Sequence, residues 1–340
     1  MCVMFSLPGL IMVSTSSSLL INTVFADVLF SSPLDVQVSS SGHVYVADTG
    51  NNRIQKFKSD GTFIRTWGTS GNGTGEFNTP AGVGVDPSGN VYVADTFNHR
   101  IQKFSSGGSF IRTWGTSGNG SGQFNFPNSV AIDSSGFVYV VDTGNNRIQK
   151  FKSGGSFIRT WGTSGNGTGE FNTPAGVALD SSGYVYVLDS GNNRIQKFSS
   201  GGSFIRTWGS PGTANGEFLS PQGLTVDSSG FVYVADYGNN RIQKFKNNGD
   251  FIRTWGSGGL GNGQFDGPRG IGAHESSGNV YVAEVFGGRI QEFTSGGKFV
   301  RTWGMFGFED ITQTENQLLN PFGVSSEGHG VVGPSGILTR

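Results

Sequence analysis

The chain is short of the residues that most often carry chemistry. Its 340 residues include one cysteine, Cys2, four histidines and four methionines. A single thiol excludes a disulfide framework and a cysteine-based metal centre. Charged residues make up 14% of the chain and the formal net charge is -1, so no basic field exists to draw in nucleic acid or an anionic membrane. Neither a Gly-x-Ser-x-Gly elbow, a Walker loop nor a Cys-x-x-Cys pair occurs. That removes the common signatures of a serine hydrolase, a phosphate loop and a redox pair.

Long apolar runs are missing as well. The segment Met1 to Ala26 carries no charge and has apolar stretches at residues 7–13 and 19–25, but Ser14 to Ser18 divides them. The interruption argues against a transmembrane span. The segment closes with Val24-Phe25-Ala26 before Asp27, small residues two apart as at a cleavage site. Residues 1–26 are therefore read as a secretory signal peptide, one without the usual basic start.

Glycine, by contrast, is abundant at 57 residues, and it recurs with a repeat. The block Val44-Tyr-Val-Ala-Asp-Thr-Gly-Asn-Asn-Arg-Ile-Gln-Lys-Phe57 returns, with variations, at Val91, Val138, Val185, Val232 and Val280. Its arginines are 47 residues apart four times and then 48. All six tryptophans, Trp67, Trp114, Trp161, Trp208, Trp255 and Trp303, keep the same interval. A period of this size means one supersecondary unit stacked on copies of itself.

In one copy, Pro80–Val85 reads as strand a, Val91–Ala94 as strand b, Arg100–Phe104 as strand c and Phe110–Trp114 as strand d. Asp86-Pro-Ser-Gly89, between a and b, has the chemistry of a type I turn. Four short strands joined by tight turns make an antiparallel meander. Val91 and Val93 point to one side of it, Tyr92 and Ala94 to the other, and a sheet apolar on both faces needs cover on both. Radial packing of blades supplies that cover. The expected fold is all-β, a six-bladed β-propeller of four-stranded antiparallel blades over residues 27–304. Leu318-Leu-Asn-Pro-Phe-Gly-Val324 echoes Phe77–Val83, so residues 305–340 read as a C-terminal tail with a partial seventh repeat or a closing strand. The Gly-rich stretch Gly68–Gly75 opens no helix and so lacks the dipole of a phosphate loop. It reads as a flexible connector between blades.

These residues resemble the NHL repeat family. The family pattern appears here as Pro174-Ala-Gly-Val-Ala-Leu-Asp180, Val187-Leu-Asp-Ser-Gly-Asn-Asn-Arg-Ile-Gln-Lys-Phe198 and Trp208-Gly209. The resemblance implies a six-bladed propeller that binds proteins or RNA. Some relatives are lyases whose channel metal is held by several histidines from different blades. That set is not apparent among His43, His99, His274 and His329, and family membership alone does not choose a function.

Two sets of carboxylates recur. Asp48, Asp95, Asp142, Asp189 and Asp236 precede Arg53, Arg100, Arg147, Arg194 and Arg241 by five residues, and Glu284 precedes Arg289 likewise. Recurrence in every copy favours structure over a ligand ring. The acid is expected to cap the b–c turn, and the arginine to pair with it or with a neighbouring blade's carbonyls. Asp86, Asp133, Asp180 and Asp227 end strand a near the expected axis, with Ser39 and His274 in the matching places of blades one and six. Carboxylates so placed could bind Ca²⁺. Each also begins a turn in which Asp bonds its own backbone, and that reading is preferred. No metal and no cofactor are expected. Lys56, Lys103, Lys150, Lys197 and Lys244, with Glu292 in the sixth copy, are read as outer-strand lysines that deter edge pairing. Asn72, Asn119 and Asn166 head Asn-Gly-Thr/Ser sequons on exposed turns and are candidate glycosylation sites in an exported chain.

Residues 63–83 and 157–177 are identical. An active site needs different groups in different roles, so such uniformity favours a scaffold. The uniformity breaks at the b–c turns, where Phe97, His99, Tyr237 and Phe286 individualise one face. Exposed aromatics are common binding anchors. The sequence is read as a non-catalytic scaffold, secreted or periplasmic, with a protein or glycan partner on that face and no affinity for nucleic acid. Two alternatives stay open: a propeller lyase or hydrolase with a divalent metal in the central channel, and an intracellular RNA- or protein-binding module.

Overall fold

The computed structural model describes residues 29–304. The signal-peptide reading of residues 1–26 and the seventh-repeat echo in residues 305–340 lie outside them. The described residues form six four-stranded sheets. Blade one consists of β1 (Asp35–Val38), β2 (Val44–Asp48), β3 (Arg53–Phe57) and β4 (Phe63–Trp67), hydrogen-bonded in chain order and antiparallel. The same order holds through to blade six, with β21 (Pro268–Ala273), β22 (Val280–Glu284), β23 (Arg289–Phe293) and β24 (Phe299–Trp303). First strands of all six blades line one central cavity. Strand a is therefore innermost and strand d outermost.

Both faces of strand b are covered by neighbours, as its sequence requires. Tyr45, Ala47 and Ile54 of blade one pack on Val83, Val91, Val93 and Phe104 of blade two. Closure repeats that interface, with Tyr281, Ala283 and Ile290 of blade six against Val36, Val44, Val46 and Phe57 of blade one. Each described sheet uses four consecutive strands, so the ring closes by packing faces together and no blade mixes strands from its two ends. The tryptophans stitch the same interfaces. A Cβ at Gly155 (φ +82) would come within 2.7 Å of Trp114, and one at Gly61 (φ +84) within 3.0 Å of Trp303, across the closure. Glycine there serves both the left-handed turn and the indole lying on it.

The lysines are not on an outer strand, contrary to the sequence expectation. They belong to strand c, and strand d lies outside it. Lys150 is only 8% exposed, sits 4.7 Å above the Tyr139 ring and donates to the Ser200 carbonyl of the next blade at 3.1 Å. Edge protection falls to strand d instead. Its register slips by one residue opposite Lys103/Phe104, which leaves Ile111 as a bulge, and the slip recurs in every blade. Arg112 of the same strand donates to the Gly154 carbonyl at 2.6 Å. A bulge and a cation on each outer strand blunt edge-to-edge pairing.

Candidate functional site

The repeated residues are bound up in the fold, and blade three shows how. Asp142 is fully buried. One carboxylate oxygen accepts from Arg147 Nε at 2.7 Å, Asn145 Nδ2 at 2.9 Å and Gln149 Nε2 at 3.1 Å. Its other oxygen accepts from the Asn125 backbone N–H at 2.7 Å. Arg147 then donates to the carbonyls of Asn119, Gly120 and Gln123. Acid and arginine together therefore fasten the d–a loop that brings the chain in from blade two. The expected cap on the b–c turn is absent. Asp142 precedes the 3₁₀ turn Thr143–Asn145 but accepts from none of its backbone N–H groups; its one bond to the turn comes from the Asn145 side-chain amide, and its remaining bonds go to the loop, the arginine and the glutamine. The equivalent ion pairs are Asp48–Arg53, Asp95–Arg100, Asp189–Arg194, Asp236–Arg241 and Glu284–Arg289. Glutamate fits in blade six because Gly287 replaces the turn asparagine. A Cβ at that glycine would lie 2.8 Å from Glu284 Oε2. Burial holds the Glu284 carboxyl above the usual range, against the pull of Arg289.

The d–a loop is not a flexible connector. Phe124 at its centre is fully buried, and its N–H donates to the Thr116 carbonyl at 2.8 Å. Gly118 N–H donates back to Phe124, and Gly122 N–H donates to Gln149 Oε1 at 2.9 Å. The sequence reading missed both the phenylalanine and the glutamine. Their signal was present, since Phe77, Phe124, Phe171, Phe218 and Phe265 and the Gln of each Ile-Gln pair follow the repeat interval. Asn72, Asn119 and Asn166 sit exposed on these loops.

The carboxylates at the end of strand a are turn residues. Asp133 accepts from the N–H groups of Ser135 and Phe137 and from the Tyr139 hydroxyl at 3.2 Å. Asp86, Asp180 and Asp227 do the same. Burial raises each tyrosine hydroxyl's pKa, and the adjacent carboxylate raises it further. In blade six the charges exchange places. His274 stands where Asp does in blades two to five, Glu292 replaces the strand c lysine, and Tyr281 donates to Glu292 at 3.0 Å. His274 Nδ1 pairs with Ser277 Oγ at 2.8 Å, and His43 Nδ1 with Ser41 Oγ at 2.9 Å. Among the described residues, no three His, Cys, Asp or Glu side chains converge as metal ligands. They do not fit a histidine-held channel metal, and no reaction step through one follows.

The individualising aromatics gather into two groups on the face that b–c turns and d–a loops share. Phe97 (52% exposed) packs edge-on against Phe126 (40% exposed), with ring centroids 5.3 Å apart. The half-buried Tyr237 lies 6.4 Å from Phe286, which is 64% exposed. Sequence reasoning missed Phe126, which fills the place of Thr79 and Thr173. His99 has a structural duty as well. Its Nδ1 accepts from Phe126 N–H at 3.2 Å, as Asn52 Oδ1 accepts from Thr79 N–H at 2.8 Å. At φ +50 it occupies a conformation that suits Asn and tolerates His.

A second break in the symmetry lies at the channel, where the sequence reading saw uniformity. The residue after the strand a proline is Leu34, Ala81, Asn128, Ala175, Gln222 and Arg269 in blades one to six. The central cavity, about 410 Å³, is lined by these strands and includes Asp35. Asp35 accepts from the N–H groups of Val36 and Val83, each at 2.9 Å. Burial nevertheless pushes its carboxyl up to about 7, against those bonds and the charge of Arg269. The signal was variability at the x of Pro-x-Gly and at its glycine, which is replaced by Asp35 in blade one and Ser129 in blade three.

The NHL repeat family model matches residues 30–57, 77–104, 124–151, 171–198 and 218–245. Solved structures share the fold over most of the ring. Selenomethionine-substituted virginiamycin B lyase from Staphylococcus aureus is 16% identical with a TM-score of 0.57, and the match covers 82% of this chain and 85% of that one. A chain of a nidogen/laminin complex is 19% identical with a TM-score of 0.57, covering 74% and 90%. Kuenenia stuttgartiensis hydrazine synthase is 10% identical with a TM-score of 0.54, covering 78% and 96%. Such identities show the fold alone. No curated protein matches the sequence. Its five matched repeats, followed by a sixth blade of the same build, belong to the NHL repeat family.

Proposed function

We propose that this protein is a non-catalytic binding scaffold whose protein partner docks on the face of b–c turns and d–a loops. One observation carries the reading. Phe97 with Phe126, and Tyr237 with Phe286, form aromatic pairs that reach solvent on one face, while the residues common to all blades are engaged within the fold. Solvent-facing aromatics anchor interfaces at low entropic cost. The partner lies outside the cell, reached by export through the signal at residues 1–26, and a glycan on that partner is the closest variant of the reading.

The test is a pull-down from the native medium with wild type and a Phe97→Ser/Tyr237→Ser variant. Capture is expected to fall at least about tenfold, with thermal stability retained, since Phe97 is exposed, where changes cost roughly 0.5 kcal/mol or less, and Ser190 already fills the Tyr237 place in blade four. Undiminished capture overturns the docking face, and loss of capture after deglycosylation of the partner assigns the contact to the glycan. N-terminal sequencing of the exported protein is expected to start at Asp27. An intact Met1 on cytoplasmic protein favours the intracellular reading, and a stoichiometric divalent metal in purified protein favours the enzyme reading.

A further inference from the structure

The residue that most breaks the channel's symmetry is Arg269. Blade six faces blade three across a six-bladed ring, and Arg269 Nη2 lies 3.4 Å from Asn128 Oδ1. The guanidinium thus spans the axis. That contact is long for a hydrogen bond. It is the only one made by this guanidinium among the described residues, and none of their carboxylates lies within ion-pair distance of it. Asn128 is held in place because its Nδ2 donates to the Ala175 carbonyl at 3.0 Å.

At the b–c end of the channel, a recess of about 250 Å³ opens over this bar. Arg269 is the one charged residue that lines it. Thr96, Thr143 and Ser190 line it too, but their hydroxyls donate to the carbonyls of Pro127, Pro174 and Pro221 and can only accept further bonds. The donors left for a guest are the guanidinium, the second N–H of the Asn128 and Gln222 amides and the Thr173 hydroxyl. A planar cation with free N–H groups pairs with a carboxylate through two parallel bonds. We propose that this recess binds a carboxylate, supplied by a small organic acid or by the free C-terminus of a peptide, with Arg269 as its principal donor. Phe126 of one aromatic pair forms part of the wall, and Phe286 of the other does not.

Asp35, on β1 beside β21, modulates the site. Of the strands packed against β1, only β21 brings a charge to bear on Asp35, that of Arg269. The Asp35 carboxyl titrates near 7, so its competition for Arg269 fades as pH falls.

The experiment is calorimetric titration at low salt with three probes: succinate, a short peptide with a free C-terminus, and the same peptide amidated. At least one free carboxylate is expected to bind wild type, more tightly at pH 6 than at pH 8, and the amidated peptide is expected not to bind. Arg269→Gln should weaken binding at least about tenfold, with Arg269→Lys recovering part of it. Gln is tolerated at that place, since Gln222 holds it in blade five. Phe286→Gly, at a docking-face aromatic that does not line the recess, should leave binding unchanged, which separates this site from the docking face. Binding of succinate points to a small acid as the natural source, and binding of the peptide alone points to a C-terminus. Failure of both free carboxylates to bind wild type, or equal binding to Arg269→Gln, overturns the proposal.

Discussion

At the scale of single residues, Asp142 shows why a repeated acid is so informative about the fold and so uninformative about a ligand. Its oxygens serve a loop N–H, an asparagine, a glutamine and an arginine, with no oxygen left over. Removing it strands Arg147 in a buried place, so Asp142→Ala is expected to cost about 3–5 kcal/mol. A double-mutant cycle with Arg147→Leu, read by urea unfolding, should show strong coupling. Additive costs would contradict the pairing. Asp35 behaves in the opposite sense. Its folded carboxyl titrates near 7, above the ~3.9 of an unfolded aspartate, so between those values the folded state holds a proton that the unfolded state has lost. Stability from this group falls as pH rises through that window and is flat above it. Relative to Asp35→Asn, wild type is expected to lose on the order of 1–2 kcal/mol from pH 5 to pH 8, a figure discounted for its partial exposure to the channel. A pH-independent difference would show that the carboxyl is not raised.

Elements differ in how readily the sequence gives them away. Strands a to d were legible because their apolar period of two and their turn residues recur six times. The d–a loop was not, because its glycines read as looseness. In the structure they provide backbone angles, such as φ +149 at Gly118, that fold the loop over Phe124. Phe124→Ala is expected to cost about 3–5 kcal/mol by urea unfolding. Asn119→Ala, on the exposed tip of the same loop, should stay within about 0.5 kcal/mol. Amides of Gly118 and Phe124 should also exchange slowly with solvent, and rapid exchange would restore the flexible reading. The lysines failed for a related reason. A polar residue on a strand suggests an open face, and the tyrosine ring and next-blade carbonyl that enclose Lys150 become visible only once blades are stacked.

The whole molecule adds what no single repeat contains. Trp303 on Gly61 and Tyr281 against blade one make the closure equivalent to the other interfaces. Gly61→Ala is therefore expected to destabilise as much as Gly155→Ala, and a markedly milder effect at Gly61 would mean that the closure is looser. The channel site was illegible for a topological reason. Asn128 and Arg269 are 141 residues apart and meet only because blades three and six face each other. Phe126 escaped notice because the loop that carries it looked interchangeable with its copies. The central claim is that residues shared by the blades make the ring and residues that break the pattern make its binding face. It is tested most directly by restoring the pattern. Phe97→Gly, Phe126→Thr, Tyr237→Thr and Phe286→Gly each install the residue found at that place in another blade. Thermal unfolding and partner capture are then measured on the fourfold variant beside wild type. The expected result is a melting temperature within about 3 °C of wild type and capture abolished; a variant that still captures its partner as wild type does would contradict the claim.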